Sequence, residues 1–189
     1  MISGVVLAAG TGSRFGATKQ LVPVDGKPLA QHAVDALIHA GVDELVLVTG
    51  HDAVRVAAGL DLPPAARVIY NAAYRDGQAT SLAAALHALD NQSEAAVVLM
   101  ADQPGVTADV VQALVARFRA TRKQVVRAMF EDGPGPSLLS REIYAEAGHL
   151  HGDAGARVLT ASHPEWVEEV AFEGPAPRDV DTPEDLPSD

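Results

Sequence analysis

Short apolar runs alternate along this chain with longer stretches in which apolar residues recur at helical spacing. That alternation predicts βα units around a mostly parallel sheet. Gly4 to Leu7 reads as a buried first strand, Glu44 to Thr49 (ELVLVT) as a second and Arg67 to Tyr70 as a third. Ala95 to Met100 (AAVVLM) reads as a fourth, apolar on both faces. Pro28 to Ala40 sets Leu29, Ala33, Leu37 and Ala40 at helical spacing, with Gly41 as the stop. Asp52 to Leu60 predicts a short helix broken by Pro63 and Pro64, and Thr80 to Leu89 an alanine-rich one. After Asp102, Thr107 suits the N-cap of a helix running to about Ala120, followed by a strand from Val125 to Phe130. Asp132 to Pro136 (DGPGP) predicts a turn or loop. Helices around Arg141 to Ala147 and Ala154 to Ala161, then a strand from Val167 to Phe172, complete the pattern. No internal repeat, low-complexity tract or linker interrupts it. The expectation is one three-layer α/β domain over residues 1–189, Rossmann-like, with a mostly parallel central sheet.

Composition narrows the classes. With 189 residues, 48% of them apolar, the chain suits one domain with a sizeable core. No apolar run approaches the roughly 18 to 20 residues that span a bilayer. Ile2 to Ala9 lacks the basic flank and cleavage site of a signal peptide, so the expected compartment is the cytoplasm. The absence of cysteine excludes disulfides and thiolate metal sites. A net charge of −11 argues against a nucleic-acid backbone partner, which needs a basic stripe. A nucleotide substrate is compatible with it, because a few local cations and a divalent metal can hold a triphosphate. Where the cations sit therefore matters more than their total.

Two cations sit in one short loop, Leu7-Ala-Ala-Gly10-Thr-Gly12-Ser-Arg14-Phe-Gly16-Ala-Thr-Lys19-Gln-Leu21. The predicted first strand runs into small residues at Ala8, Ala9 and Gly10, which let a ligand lie against the backbone. An ordinary glycine-rich turn explains the glycines but not both cations. A Walker A loop needs Ser or Thr after the lysine, and Gln20 stands there. A Rossmann fingerprint needs a third glycine where Phe15 stands, and an acidic ribose ligand where the second strand ends in Thr49-Gly50-His51.

Three later segments carry candidate chemistry. Asp102, in Met100-Ala-Asp-Gln-Pro104, ends the fourth strand, where ligands bind in open α/β sheets, and a carboxylate there suits Mg²⁺. It also suits a turn cap before Pro104. Asp179 and Asp181, in Asp179-Val-Asp181-Thr-Pro-Glu-Asp, fall on one side of an extended segment and could face one cation, while Thr182 or Asp181 with Pro183 also suits a helix start. Asn71-Ala-Ala-Tyr-Arg-Asp-Gly77-Gln-Ala-Thr80-Ser81 offers N–H and O–H groups to a base edge, and equally an N-cap at Thr80 or Ser81.

The glycine loop resembles, position by position, the signature of the NTP-transferase family with a GT-A-like nucleotidyltransferase fold. Within it the chain is most similar to the molybdenum cofactor cytidylyltransferases, over nearly its whole length. The resemblance implies a Mg²⁺-dependent transfer of CMP from CTP to a phosphorylated acceptor, the molybdopterin cofactor, with release of pyrophosphate. It implies Asp102 and Asp181 as metal ligands, and Arg14, Lys19 and Asp102 as the catalytic groups. Leu7, Ala8, Ala9, Gly10, Gly12, Arg14 and Lys19, with Gly77, Thr80 and Ser81, would bind the nucleotide. Ala9 in Leu-Ala-Ala-Gly favours cytidine over guanosine. A cofactor-receiving enzyme or chaperone would be the protein partner, with neither nucleic acid nor membrane involved.

Two departures stand out. Gln103 replaces the methionine that usually follows the metal aspartate, and Gly135-Pro136 stands where the family tends to have His-Pro, on the acceptor side. His149 and His151 make a weak zinc signal without a spaced third ligand, and His51 and His163 read as ordinary surface residues. Asp153 and Arg157, in Gly152-Asp-Ala-Gly-Ala-Arg157, suit a cap and an i,i+4 ion pair. Other NTP transferases, a non-catalytic nucleotide-binding module and an NAD-linked oxidoreductase are the competing classes.

Overall fold

The computed structural model of the chain describes residues 1–12, 15–150, 152 and 160–186. The predicted Arg14, His151, Asp153 and Arg157 sites, and most of the helix expected around Ala154 to Ala161, lie outside them. Strand β1 is Ile2–Ala8, β2 Pro23–Val24, β3 Lys27–Pro28, β4 Glu44–Thr49 and β5 Arg67–Tyr70. Then come β6 Ala95–Met100, β7 Val125–Phe130, β8 Gly133–Ser140 and β9 Val167–Ala171. Helix α1 is Leu29–Ala40, α2 Ala53–Ala58, α3 Gln78–Ala88, α4 Ala108–Thr121 and α5 Tyr144–Gly148.

Seven strands form one sheet in the order β5-β4-β1-β6-β8-β7-β9, and β2 pairs with β3 in a separate hairpin. β1 lies parallel to both β4 and β6, and β4–β5 and β7–β9 are parallel as well. Only β8 runs antiparallel, against β6 and β7. Adjacent residues of β1 face opposite layers. Val6, with Leu47 and Leu99, packs under Val34 and Leu37 of α1, Val56 of α2 and Leu114 of α4. Val5, with Val46 and Val48, packs under Leu82 and Leu86 of α3 and Ala147 of α5. That two-sided burial is why the central strands read as continuous apolar runs. Each fully buried leucine here contributes about 1.5–3 kcal/mol of transfer free energy. Gly4 has a steric reason as well: a Cβ there would lie 2.9 Å from Leu37 Cδ1, so the glycine lets α1 sit close on β1.

Two expectations need correcting. Gly133 to Pro136 is strand, not loop. The two prolines do not disrupt the sheet because β8 pairs with β6 only from Ser137 to Ser140. The Gly-Pro part meets β7 alone, across a register shift between Arg127 and Met129. Helix α3 begins at Gln78 with Gly77 as its N-cap, so Thr80 and Ser81 lie inside the first turn rather than capping it. Gly41 ends α1 in the left-handed conformation, φ 77°, as its position suggested. Among the described residues, no helix is long and apolar enough to cross a membrane.

Candidate active site

β1, flanked by β4 on one side and β6 on the other, marks the switch point of the parallel half of the sheet, and a crevice opens at the carboxyl ends of its strands. A pocket of about 280 Å³ lies there. Leu7, Ala8, Gly10, Thr11 and Gly12 of the glycine loop form one wall. Met100, Ala101 and Asp102 from the end of β6 face them, with Asp181 at the rim.

Gln20 holds the loop's shape. Its buried amide donates to the carbonyl oxygens of Ala8 (3.0 Å) and Gly10 (2.7 Å). Such a bond to a buried carbonyl avoids an unmet acceptor, which would cost about 1–3 kcal/mol. Gly12 has φ 55°, and a Cβ on it would fall 2.7 Å from Lys19 Cβ. Its backbone freedom and missing side chain therefore set how Lys19 enters the site.

Lys19 opens a 3-10 turn, Lys19–Leu21, and is itself buried at 8% exposure. Its ammonium donates to Asp102 Oδ2 and to Asp181 Oδ1, each at 2.9 Å. Burial works to lower the Lys19 pKa, but Asp102 and then Asp181 outweigh it and hold the ammonium above its usual value. Asp102 goes the other way for a carboxylate. Burial raises it, and Lys19 offsets only part of that. The two shifts thus have different causes, the neighbouring carboxylates for Lys19 and burial for Asp102.

The C-terminal segment is pinned to the sheet at this point. The Val180 N–H donates to the Asp102 carbonyl at 2.9 Å, and Gln103 Nε2 donates to Asp179 Oδ1 at 2.8 Å. Val180 is buried with Val24 and Leu29, and Phe15 and Leu186 pack on that cluster. Asp185 accepts from the backbone of Asp181 (3.0 Å) and Thr182 (2.7 Å), closing a capping box over the next turn. Asp179 and Asp181 thus diverge: Asp181 turns to Lys19, whereas Asp179 is engaged by Gln103.

The donor set fits a hard divalent cation. Asp102 Oδ1 is buried and, among the described residues, has no hydrogen-bond partner. Lys19 brings a second carboxylate to the same place. No group of three His, Asp or Glu suited to a metal occurs among the described residues. Two carboxylates with substrate phosphates and water is the usual provision for Mg²⁺.

Of the remaining sequence candidates, Ala9 is buried and belongs to the core cluster beneath α3, lining neither the 280 Å³ pocket nor the larger one beside it. Gly77, Thr80 and Ser81 line neither as well. Asn71 donates to the Thr80 and Ser81 hydroxyls at 2.8 and 2.9 Å, fixing the first turn of α3. Gly77, φ 109°, touches Gly152 so closely that a Cβ would stand 2.4 Å from the Gly152 carbonyl carbon. His163 stacks on Trp166 at 3.8 Å between centroids, a structural role. Sequence patterns alone do not point to Gln20 or to the Gln103–Asp179 bond. The one sign of Gln20's role in the chain is an amide beside the signature lysine, next to a glycine turn with exposed carbonyls.

Comparison with known proteins bears on family and fold. Residues 4–167 match the profile described as MobA-like NTP transferase domain. The nicotine blue oxidoreductase of Paenarthrobacter nicotinovorans is 31% identical, covering 98% of this chain and 94% of that protein. The crystal structure of Rv0371c from Mycobacterium tuberculosis H37Rv superposes with a TM-score of 0.87 at 33% identity, covering 97% of this chain and 94% of the other. A complex of Rv0371c with manganese gives a TM-score of 0.82 at 32% identity, covering 97% of this chain and 95% of that one. A nucleotidyl transferase from Methanothermobacter thermautotroptrophicus gives 0.77 at 25% identity, covering 98% and 94% of the two chains.

Proposed function

We propose, from the premise that this chain belongs to the MobA-like NTP transferase family, that it is a cytoplasmic cytidylyltransferase. It moves CMP from CTP to a small phosphorylated acceptor, the molybdopterin cofactor, and releases pyrophosphate. The observation that carries the reading is one buried ammonium, Lys19, held at 2.9 Å from both Asp102 and Asp181 at the foot of the glycine loop.

An acceptor phosphate oxygen attacks the α-phosphorus in line. The bond from the α-phosphorus to the bridging oxygen breaks, and pyrophosphate leaves with that electron pair. Such a transfer asks mainly for positioning and charge neutralisation. Lys19 places positive charge where the α-phosphoryl oxygens become more negative. Asp102 and Asp181 would hold Mg²⁺, which neutralises phosphate oxygens and orients them when bound. A manganese complex of a relative supports the use of a divalent ion. Gln20, by engaging the carbonyls of Ala8 and Gly10, holds the loop in place. No general base is needed, because a phosphate monoester is largely ionised near neutral pH (second pKa about 6). Arg14 would steady the departing pyrophosphate. Ala9, with the Gly77 to Ser81 turn, would shape the base site from beneath.

A second reading has one observation in its favour: a relative at 31% identity is named as an oxidoreductase. The test is pyrophosphate release from CTP, GTP, ATP or UTP with Mg²⁺ and purified molybdopterin, run beside NADH oxidation in the presence of nicotine blue. Acceptor-dependent release from CTP is expected. No release from any of the four nucleotides, together with NADH oxidation, would establish the redox reading instead.

A further inference from the structure

Beside the glycine loop lies a second pocket of about 530 Å³. It shares Thr11 and Gly12 with the first pocket, so the two cavities adjoin along the loop. Arg55 of α2 and Arg75, two residues before Gly77, line it with His51. Of the described arginines, four are matched to carboxylates: Arg67 to Glu44, Arg117 to Glu168, Arg122 to Glu94 and Arg127 to Glu169. Among the described residues Arg55 and Arg75 have no such partner, although both line one cavity.

The two arginines are nonetheless held. The Arg75 guanidinium lies 5.4 Å above the Tyr74 ring centroid, a cation–π contact. Arg55 Nη1 lies 3.5 Å from Thr18 Oγ1, the residue next to Lys19. One carboxylate, Asp52, also lines the pocket, and it accepts the Thr18 hydroxyl at 2.5 Å. Asp52 adopts the left-handed conformation (φ 52°, ψ 32°), uncommon for a non-glycine residue. The balance of formal charge in the cavity is two arginines against one aspartate already engaged.

We infer that this outer pocket receives the β- and γ-phosphates of the bound nucleotide, with Arg55 and Arg75 as the cations that tell a triphosphate from a monophosphate. The inference rests on the transferase reading above. A triphosphate whose α-phosphate lay beside Lys19 would run along Thr11 and Gly12 into the outer cavity, where guanidinium groups suit multidentate phosphate binding. The signature loop carries its own arginine. Arg55 and Arg75 come from outside it, so they can set selectivity without altering the loop.

Titration calorimetry with CTP, CDP, CMP and inorganic pyrophosphate, all with Mg²⁺, tests this on the wild type, Arg55→Ala, Arg75→Ala and the double variant. Both side chains are exposed, so the variants are expected to fold normally. Each substitution is expected to weaken CTP about tenfold and to leave CMP within about twofold, the scale of one charge-assisted hydrogen bond. A CTP-to-CMP affinity ratio equal in wild type and double variant would overturn the inference and leave the transferase reading standing. Pyrophosphate bound by wild type but not by the double variant, with no CTP bound by either, would keep the anion pocket and remove the nucleotide reading. Binding of neither ligand by the wild type would remove both.

Discussion

The two ends of the central sheet treat their polar groups in opposite ways. At the amino ends of the strands, Ser3 is fully buried and its hydroxyl lies 2.6 Å from the Glu44 carboxylate and 2.8 Å from Ser93 Oγ. Glu44 also accepts from the Asp90 N–H at 3.1 Å and pairs with Arg67. Ser93 continues to the Tyr144 hydroxyl, whose pKa burial pushes up to about 12. Every member of that set finds another member. At the carboxyl ends, Asp102 keeps one buried oxygen without a partner among the described residues, and Lys19 is surrounded by more acceptors than a simple ion pair needs. Closed polar networks add stability and offer nothing to a ligand. An unmet buried oxygen is a cost that a cation removes on binding. Both ends are polar, and only one of them is available.

Substitutions at the two ends should therefore separate turnover from stability. The largest effect is expected from Asp102→Asn or Asp181→Asn, a fall in kcat on the order of 10³, the scale for loss of a charge-stabilising group in a transition state. The melting temperature should stay close to that of the wild type. Near-normal turnover at limiting Mg²⁺ would exclude the substituted residue as a ligand. Next comes Lys19→Ala, expected to lower kcat about a hundredfold. Lys27→Ala is the control: Lys27, on the β2–β3 hairpin, pairs with Asp35 of α1 and does not line the 280 Å³ pocket, so its loss should leave kcat within about twofold. A raised KM with unchanged kcat in Lys19→Ala would reassign that residue to ground-state binding.

At the closed end, Glu44→Ala should cost about 1–3 kcal/mol in urea unfolding, because the Ser3 hydroxyl and the Asp90 N–H lose their acceptor. Activity per folded molecule should be unchanged. A drop in kcat at constant stability would mean that the two ends are coupled and the contrast is false. The smallest effect belongs to Ala9→Gly. Its methyl sits in the core and lines neither pocket, so the change should act through the shape of the loop, reducing CTP preference over GTP by about tenfold, one methyl's worth of selectivity, without abolishing turnover. Equal use of both nucleotides by the wild type would remove the cytidylyl assignment and leave the transferase one.

Much of this architecture is legible in the amino-acid pattern itself. The strands at Glu44–Thr49, Arg67–Tyr70, Ala95–Met100 and Val125–Phe130 follow from it to the residue. Burial on both faces writes Glu44–Thr49 and Ala95–Met100 as nearly uninterrupted apolar runs, whereas the largely exposed edge strand Arg67–Tyr70 is legible from its β-branched and aromatic residues. β8 escapes the pattern for the opposite reason. Its Gly-Pro residues carry turn chemistry, and only tertiary pairing with β7 makes them strand. In the site, Lys19 and Asp102 are legible because loop and strand end are local patterns. The partner of each is not, since Lys19 and Asp181 are 162 residues apart in sequence. The early start of α3 is hidden by Thr80 and Ser81, whose hydroxyls suit a cap but instead meet Asn71, a contact that no local rule reports.

That separation of 162 residues also bears on how the molecule acquires its chemistry. The Val180 N–H can meet the Asp102 carbonyl only when β6 stands in the sheet and the segment after β9 has returned to it. Loop closure on this scale comes late, after local helices and neighbouring strands have formed. In a refolding experiment, far-UV ellipticity should therefore recover ahead of divalent-cation binding, with activity last. Partly folded chains would carry the signature loop and its lysine but no second carboxylate, and would be unable to consume nucleotide. The long contact works as an interlock on assembly.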